Sequence, residues 1–128
     1  MSIILPDRWT KEFLKEYAKD YYFLYGTCVY GSYKEGAAES LMQDFEHCFG
    51  VNVKTKLCFS GGNFFIDPEF PVHKGSIDKS IAKVPRDRPV IYWPKIGQGM
   101  SGLRHGAPRT YKYLIEGLDK FCINKELL

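Results

Sequence analysis

Hydrophobic and polar positions follow two periods along the chain. Phe13, Leu14 and Tyr17 share one face of a helix that the spacing predicts to run from Thr10, its N-cap, to about Asp20. Tyr21 to Tyr25 is aromatic or apolar at every position, which predicts a buried strand, with Gly26 closing it. Ser2 to Leu5 reads as a short strand before these. From Glu35 the period becomes helical. Ala38, Leu41, Met42, Phe45 and Phe49 recur at three- and four-residue steps, and Gly50 stands where a helix-ending glycine is expected. Val51 to Phe59 is expected to hold one or two short strands. Ser60 to Asn63 is then a turn and Phe64 to Ile66 another strand.

The second half repeats the alternation. Ser76 is expected to cap a short helix to about Val84, with Ile77, Ile81 and Val84 inward. Pro85 to Pro89 is a charged connector, and Pro89 opens a strand over Val90 to Trp93. Ala107-Pro108 suits a helix start, and Tyr111, Leu114, Ile115, Leu118 and Phe121 form a second apolar stripe. Strands alternating with helices predict one α/β domain over residues 1–128, with a mixed, mainly parallel sheet flanked by helices.

Composition narrows the class. Of 128 residues, 45% are hydrophobic and 26% charged, as in an ordinary globular domain. The net charge of +3 is mild. Lys and Arg are scattered, apart from a concentration at Lys83, Arg86, Arg88, Lys95, Arg104 and Arg109, so a small anionic ligand fits better than nucleic acid. The aromatic share of 16% supplies packing and leaves a few rings for stacking on a base. Cys28, Cys48, Cys58 and Cys122 form no C-x-x-C and no zinc-finger spacing, so no metal is expected. No apolar run is long enough for a membrane span, and Met1 to Leu5 is too short for a signal-peptide core. The expectation is a cytoplasmic protein with reduced thiols and no membrane partner. It needs no cofactor, and an oligomer stays open.

Gly97-Gln98-Gly99-Met100-Ser101-Gly102 is a G-x-G-x-x-G directly after an apolar run. A dinucleotide fingerprint also needs a following βαβ unit and an acidic residue at the next strand end. One helix and a short tail follow here, so that reading fails on context. The glycines still allow successive backbone N–H groups to face one concave point beside a helix start, which is a phosphate nest. A tight turn that binds nothing is the plain alternative. A second glycine-containing stretch, Gly26 to Gly36, also joins a predicted strand to a helix. Two such turns describe a crevice at the carboxyl edge of a sheet.

These stretches carry a resemblance. Tyr25-Gly26-Thr27-Cys28, Gly31, Tyr33-Lys34 and Gly36-Ala37-Ala38, then Gly62-Asn63-Phe64-Phe65 with Pro68, then Ile96 to Gly102, stand in the order and intervals of the macro-domain superfamily. The chain resembles its short bacterial and phage members, over about residues 21 to 103. The resemblance implies a three-layer macro-like fold that binds ADP-ribose. It implies one loop, Gly26 to Gly36, beside the distal ribose, with Gly26, Gly31, Tyr33, Lys34 and Gly36 as contacts. It implies a second loop, Gly97, Gln98, Gly99, Met100, Ser101 and Gly102, around the diphosphate, and Arg104 or His105, next in sequence, is expected to close the site. The family's first-loop Asn is Cys28 here, its His is Tyr33, one of its loop glycines is Lys34, and its second-loop Cys is Gln98. These departures favour binding or sequestering an ADP-ribose-type nucleotide over turning it over. A hydrolase of an ADP-ribose derivative, and a protein-interaction module with a vestigial pocket, remain the alternatives. In a phage setting the resemblance implies an anti-defence role against a nucleotide signal in the host cytoplasm.

Two side chains are candidates for catalysis. Cys28 serves as a nucleophile if Lys34 or a helix start depresses its pKa, and is otherwise a small residue in a tight loop. His105 serves as a general acid near a phosphate or ribose oxygen, or is a solvent-facing turn residue. Asp67 and Glu69 are an acid pair or two solvated carboxylates. His47 is expected within the second helix and His73 in a loop, both without a role. Tyr33 is the best stacking candidate.

Overall fold

The computed structural model describes residues 9–30, 42, 45–56, 70–96 and 103–124. Its elements in chain order are α1 (Lys11–Glu16), β1 (Tyr22–Tyr30), β2 (Cys48–Lys56), α2 (Phe70–Ala82), β3 (Val90–Tyr92), α3 (Leu103–Gly106) and α4 (Pro108–Phe121). Among the described residues the strands form one parallel sheet in the order β2-β1-β3. The protein is thus a mixed α/β fold around a small parallel sheet.

Side-chain alternation on β1 builds a core on each face of that sheet. Tyr22 and Leu24 point one way, with Val51, Val90, Ile77, Val84, Leu103, Leu114 and Leu118. Tyr21, Phe23 and Tyr25 point the other way, with Trp9, Leu14, Met42, Cys48 and Ile91. β1 is apolar on both faces because both faces are covered. The helices divide accordingly. α1 and Met42 lie against the second cluster, whereas α2, α3 and α4 lie against the first.

Several expected boundaries move. The α1 cap is as expected, with Thr10 Oγ1 accepting from the Phe13 amide at 3.1 Å. The helix stops at Glu16 rather than near Asp20, and the nearby Ala18 carbonyl is taken by Arg88 Nη1 at 2.9 Å. Gly26 does not close β1. The strand continues to Tyr30, and Gly26 pairs with Val51 inside the ladder. Phe49 and Gly50 do not end a helix, because both belong to β2, where Gly50 pairs with Tyr25. His47 sits in the turn before β2, not in a helix. α2 begins at Phe70, ahead of Ser76. Pro71 is tolerated in its first turn, where an amide proton has no partner to lose. His73 is therefore helical and buried, not in a loop. Within α2 the Ser76 carbonyl accepts from the buried Ser80 hydroxyl at 3.0 Å. β3 and α4 fall where expected: α4 starts at Pro108 behind Ala107, and Thr110, Leu114 and Leu118 are buried. The expected strands at Ser2–Leu5 and Phe64–Ile66 lie outside the described residues.

Candidate functional site

β1 and β3 are parallel neighbours, so the segments beyond their carboxyl ends leave the same edge of the sheet. The chain after β1 reaches Met42 and Phe45 on the α1 face. The chain after β3 reaches α3 and α4 on the opposite face. Adjacent strands whose connections depart to opposite faces leave a crevice between their carboxyl ends, the usual ligand position in open α/β sheets. The two ends are not level. Trp93 donates its amide to the Leu24 carbonyl at 2.8 Å and β3 stops there, while β1 continues to Tyr30. At ~3.3 Å per residue that offset is ~20 Å.

The root of the second loop is well fixed. Ile96 donates its amide to the Trp93 carbonyl at 2.9 Å and is itself buried. Leu103 re-enters the core, and its carbonyl accepts from the Ala107 amide at 3.0 Å. α4 then opens at this edge, and Thr110 Oγ1 in its first turn is buried without a partner. The β1–β2 register shifts between Thr27 and Cys28, inside the stretch Gly26 to Gly36 that is expected to be a loop. Irregularities of this kind bend a strand and re-aim its remaining residues. Cys28 lies in β1, opposite Lys54, and not in a glycine turn. Gly26 lies in the same strand. Arg104 and His105 fall in α3, between the second loop and α4. Gly31, Tyr33, Lys34 and Gly36, and Gly97, Gln98, Gly99, Met100, Ser101 and Gly102, lie outside the described residues, as do Asp67 and Glu69.

The basic concentration divides. Arg86 and Arg88 precede β3, at the amino edge, and both are engaged there. The Arg86 guanidinium stacks 3.8 Å from the Phe121 ring centre. Arg88 lies over Tyr22 at 4.6 Å. The Tyr22 hydroxyl donates to Asp87 Oδ1 at 2.7 Å, which holds the Asp87 carboxyl below its ordinary range and pushes the phenol up. Lys95 follows β3 at the carboxyl edge and is exposed. It joins Arg104 and Arg109 in sequence beside the second loop. Sequence spacing misses this division, because a connector and a loop only a few residues apart lie at opposite ends of a strand.

Burial pushes the thiols of Cys48 and Cys122 up to about 12. His47 Nε2 lies 3.0 Å from the Leu14 carbonyl, between the rings of Phe23 and Phe45, and burial lowers its pKa. A shallow groove of about 240 Å³ lies between α2 and α4, lined by Ile77, Asp78, Ile81, Tyr113, Glu116 and Lys120 among others. No expected site residue lines it. Among the described residues no group of three or more His, Cys, Asp or Glu stands close enough to hold a metal ion. No helix among them is long and apolar enough to cross a membrane.

The profile of a family of unknown function, DUF7831, matches residues 4–117. The chain belongs to DUF7831. No curated protein and no solved structure matches it. For this DUF7831 chain the functional reading therefore rests on its own residues: two glycine-rich segments, rooted on the adjacent parallel strands β1 and β3, leave one sheet edge.

Proposed function

We propose that the chain is a macro-like, three-layer domain that binds an ADP-ribose-type nucleotide at the carboxyl edge of its sheet, between β1 and β3. The observation that supports this reading is that the chain after β1 resumes at Met42 and Phe45 on one face of the sheet and the chain after β3 resumes at Leu103 on the other, the arrangement at which open α/β sheets take their ligands. Gly97, Gly99, Ser101 and Gly102 present backbone amides to the diphosphate, with Gln98 and Met100 in the same loop. Gly31, Tyr33, Lys34 and Gly36 flank the ribose, and Lys95 and Arg104 supply positive charge. The protein holds the nucleotide without converting it, which in a phage-infected cytoplasm removes a nucleotide signal from its receptor.

The test is a nucleotide panel read by melting temperature and by chromatography of the recovered ligand. ADP-ribose, its 1″-phosphate and cyclic ADP-ribose isomers are the core of the panel. A binder supplied at ~100 times its Kd adds ~2.7 kcal/mol of apparent stability, and it is recovered intact. Recovery of a cleaved product moves the reading to the hydrolase, with His105 as the first residue to replace. No shift with any member of the panel overturns the nucleotide site and leaves the protein-interaction module.

A further inference from the structure

Among the described residues β3 has β1 on one side and no strand on the other. Successive residues of a strand turn their backbone groups to opposite sides. Trp93 faces β1, since its amide is bonded to Leu24. Positions 90, 92 and 94 therefore face outward, and each is blunted in its own way. The Val90 carbonyl accepts from the Ile123 amide at 2.9 Å. The Tyr92 amide donates to Asn124 Oδ1 at 2.8 Å, and Asn124 Nδ2 donates to the Tyr92 carbonyl at 2.9 Å. Position 94 is proline and has no N–H to give. A primary amide carries the donor and the acceptor of a peptide group. Asn124, buried at 5% exposure, thus performs with one side chain the two-bond exchange of an antiparallel residue pair.

We infer that Ile123 and Asn124 form a latch that keeps β3 from pairing with the β3 of a second copy of this chain. The uncovered edge is self-complementary. Antiparallel pairing about Ile91 sets Val90 opposite Tyr92 of the other copy and Tyr92 opposite its Val90, which is the closed twofold arrangement of an isologous dimer. An open strand edge is a template for such pairing. The latch closes it from within the chain, and it does so from the residues beyond α4, whose own end is fixed by the Cys122 amide on the Leu118 carbonyl.

The test compares the wild-type full chain with the double variant Ile123→Pro/Asn124→Ala, which removes the amide on the Val90 carbonyl as well as the side chain on Tyr92, by amide hydrogen exchange and sedimentation over a range of protein concentrations. In the wild type the Tyr92 amide is as protected as the Trp93 amide, and the mass does not change with concentration. In the dilute double variant the Tyr92 amide exchanges roughly tenfold faster or more, while Trp93 keeps its protection. At high concentration the mass doubles and the Tyr92 protection returns. Ile123→Pro/Asn124→Ser serves with the same outcomes where the first variant does not fold. A wild-type Tyr92 amide that exchanges as in a free peptide overturns the latch. So does a variant that stays at the wild-type mass throughout.

Discussion

The imidazole of His47 is bonded to the carbonyl of Leu14, 33 positions earlier, at 3.0 Å. Leu14 lies in the last turn of the short helix α1, where carbonyls lack helical partners, so the ring supplies a cap from the turn before β2. The ring is buried, and that burial lowers its pKa against the opposing effect of the bond to the Leu14 carbonyl, with Arg88 acting in the same direction as burial. Protonation is therefore favoured in the unfolded chain. The stability that neutral His47 contributes is complete above its ordinary pKa of 6.5 and declines as the pH falls below it. Urea unfolding at a series of pH values from neutral to mildly acidic should show this decline. His47→Asn should flatten the slope in that window and cost ~1–3 kcal/mol at neutral pH.

Leu114 is fully buried where α4 meets the sheet. Leu114→Ala is expected to cost ~2–5 kcal/mol, the range for deleting a core leucine, read as a lower denaturant midpoint. Lys112→Ala, on the exposed side of the same helix, breaks only the 3.9 Å pair with Glu116 and should change the stability by ~0.5 kcal/mol or less.

Thr10→Ala removes the acceptor for the Phe13 amide and should cost ~1 kcal/mol. Thr10→Ser should keep most of that contribution. Thermal unfolding of the three proteins measures the difference.

Cys48 and Cys122, with thiols pushed up to about 12 and little exposure, should resist iodoacetamide at mildly alkaline pH in the native state. Peptide mass spectrometry after a timed exposure should find both unmodified, and both alkylated once denaturant is added. Rapid native labelling at either position contradicts the packing of its cluster.

A substitution in the second glycine loop separates ligand contact from folding. Gly99→Val should weaken a nucleotide that shifts the wild-type melting temperature by about tenfold or more, a loss of ~1.4 kcal/mol. Isothermal titration with that nucleotide measures it.

Much of the α4 half of the fold is legible in the sequence because its signals agree. Ala107-Pro108 starts α4, its stripe is wholly apolar or aromatic, and Pro89 marks the entry to β3. α2 is legible only in part. Its buried face runs through His73, Ile77 and Ser80, so two polar side chains stand at inward positions and the apolar period is interrupted. The end of β1 misleads because glycine ordinarily punctuates a strand, whereas here the ladder to Val51 carries Gly26 along. Phe49 and Gly50 suit a helix by their spacing from Phe45. Backbone pairing with Leu24 and Tyr25 decides otherwise. At the candidate site, the two glycine stretches and the strands that lead into them can be read from residue order. That β1 and β3 are neighbours cannot, because strand order is a long-range property.

The chain contains two tryptophans, and their rings meet edge to face with centres 4.9 Å apart. Trp93 follows β3 directly and touches the apolar clusters on both faces, while Trp9 is buried beside α1. The molecule therefore carries its own optical gauge. Ultraviolet emission comes from one indole couple set at the base of the Gly97–Gly102 segment, so any event that loosens or tightens that base alters the colour and yield of the light without an added dye.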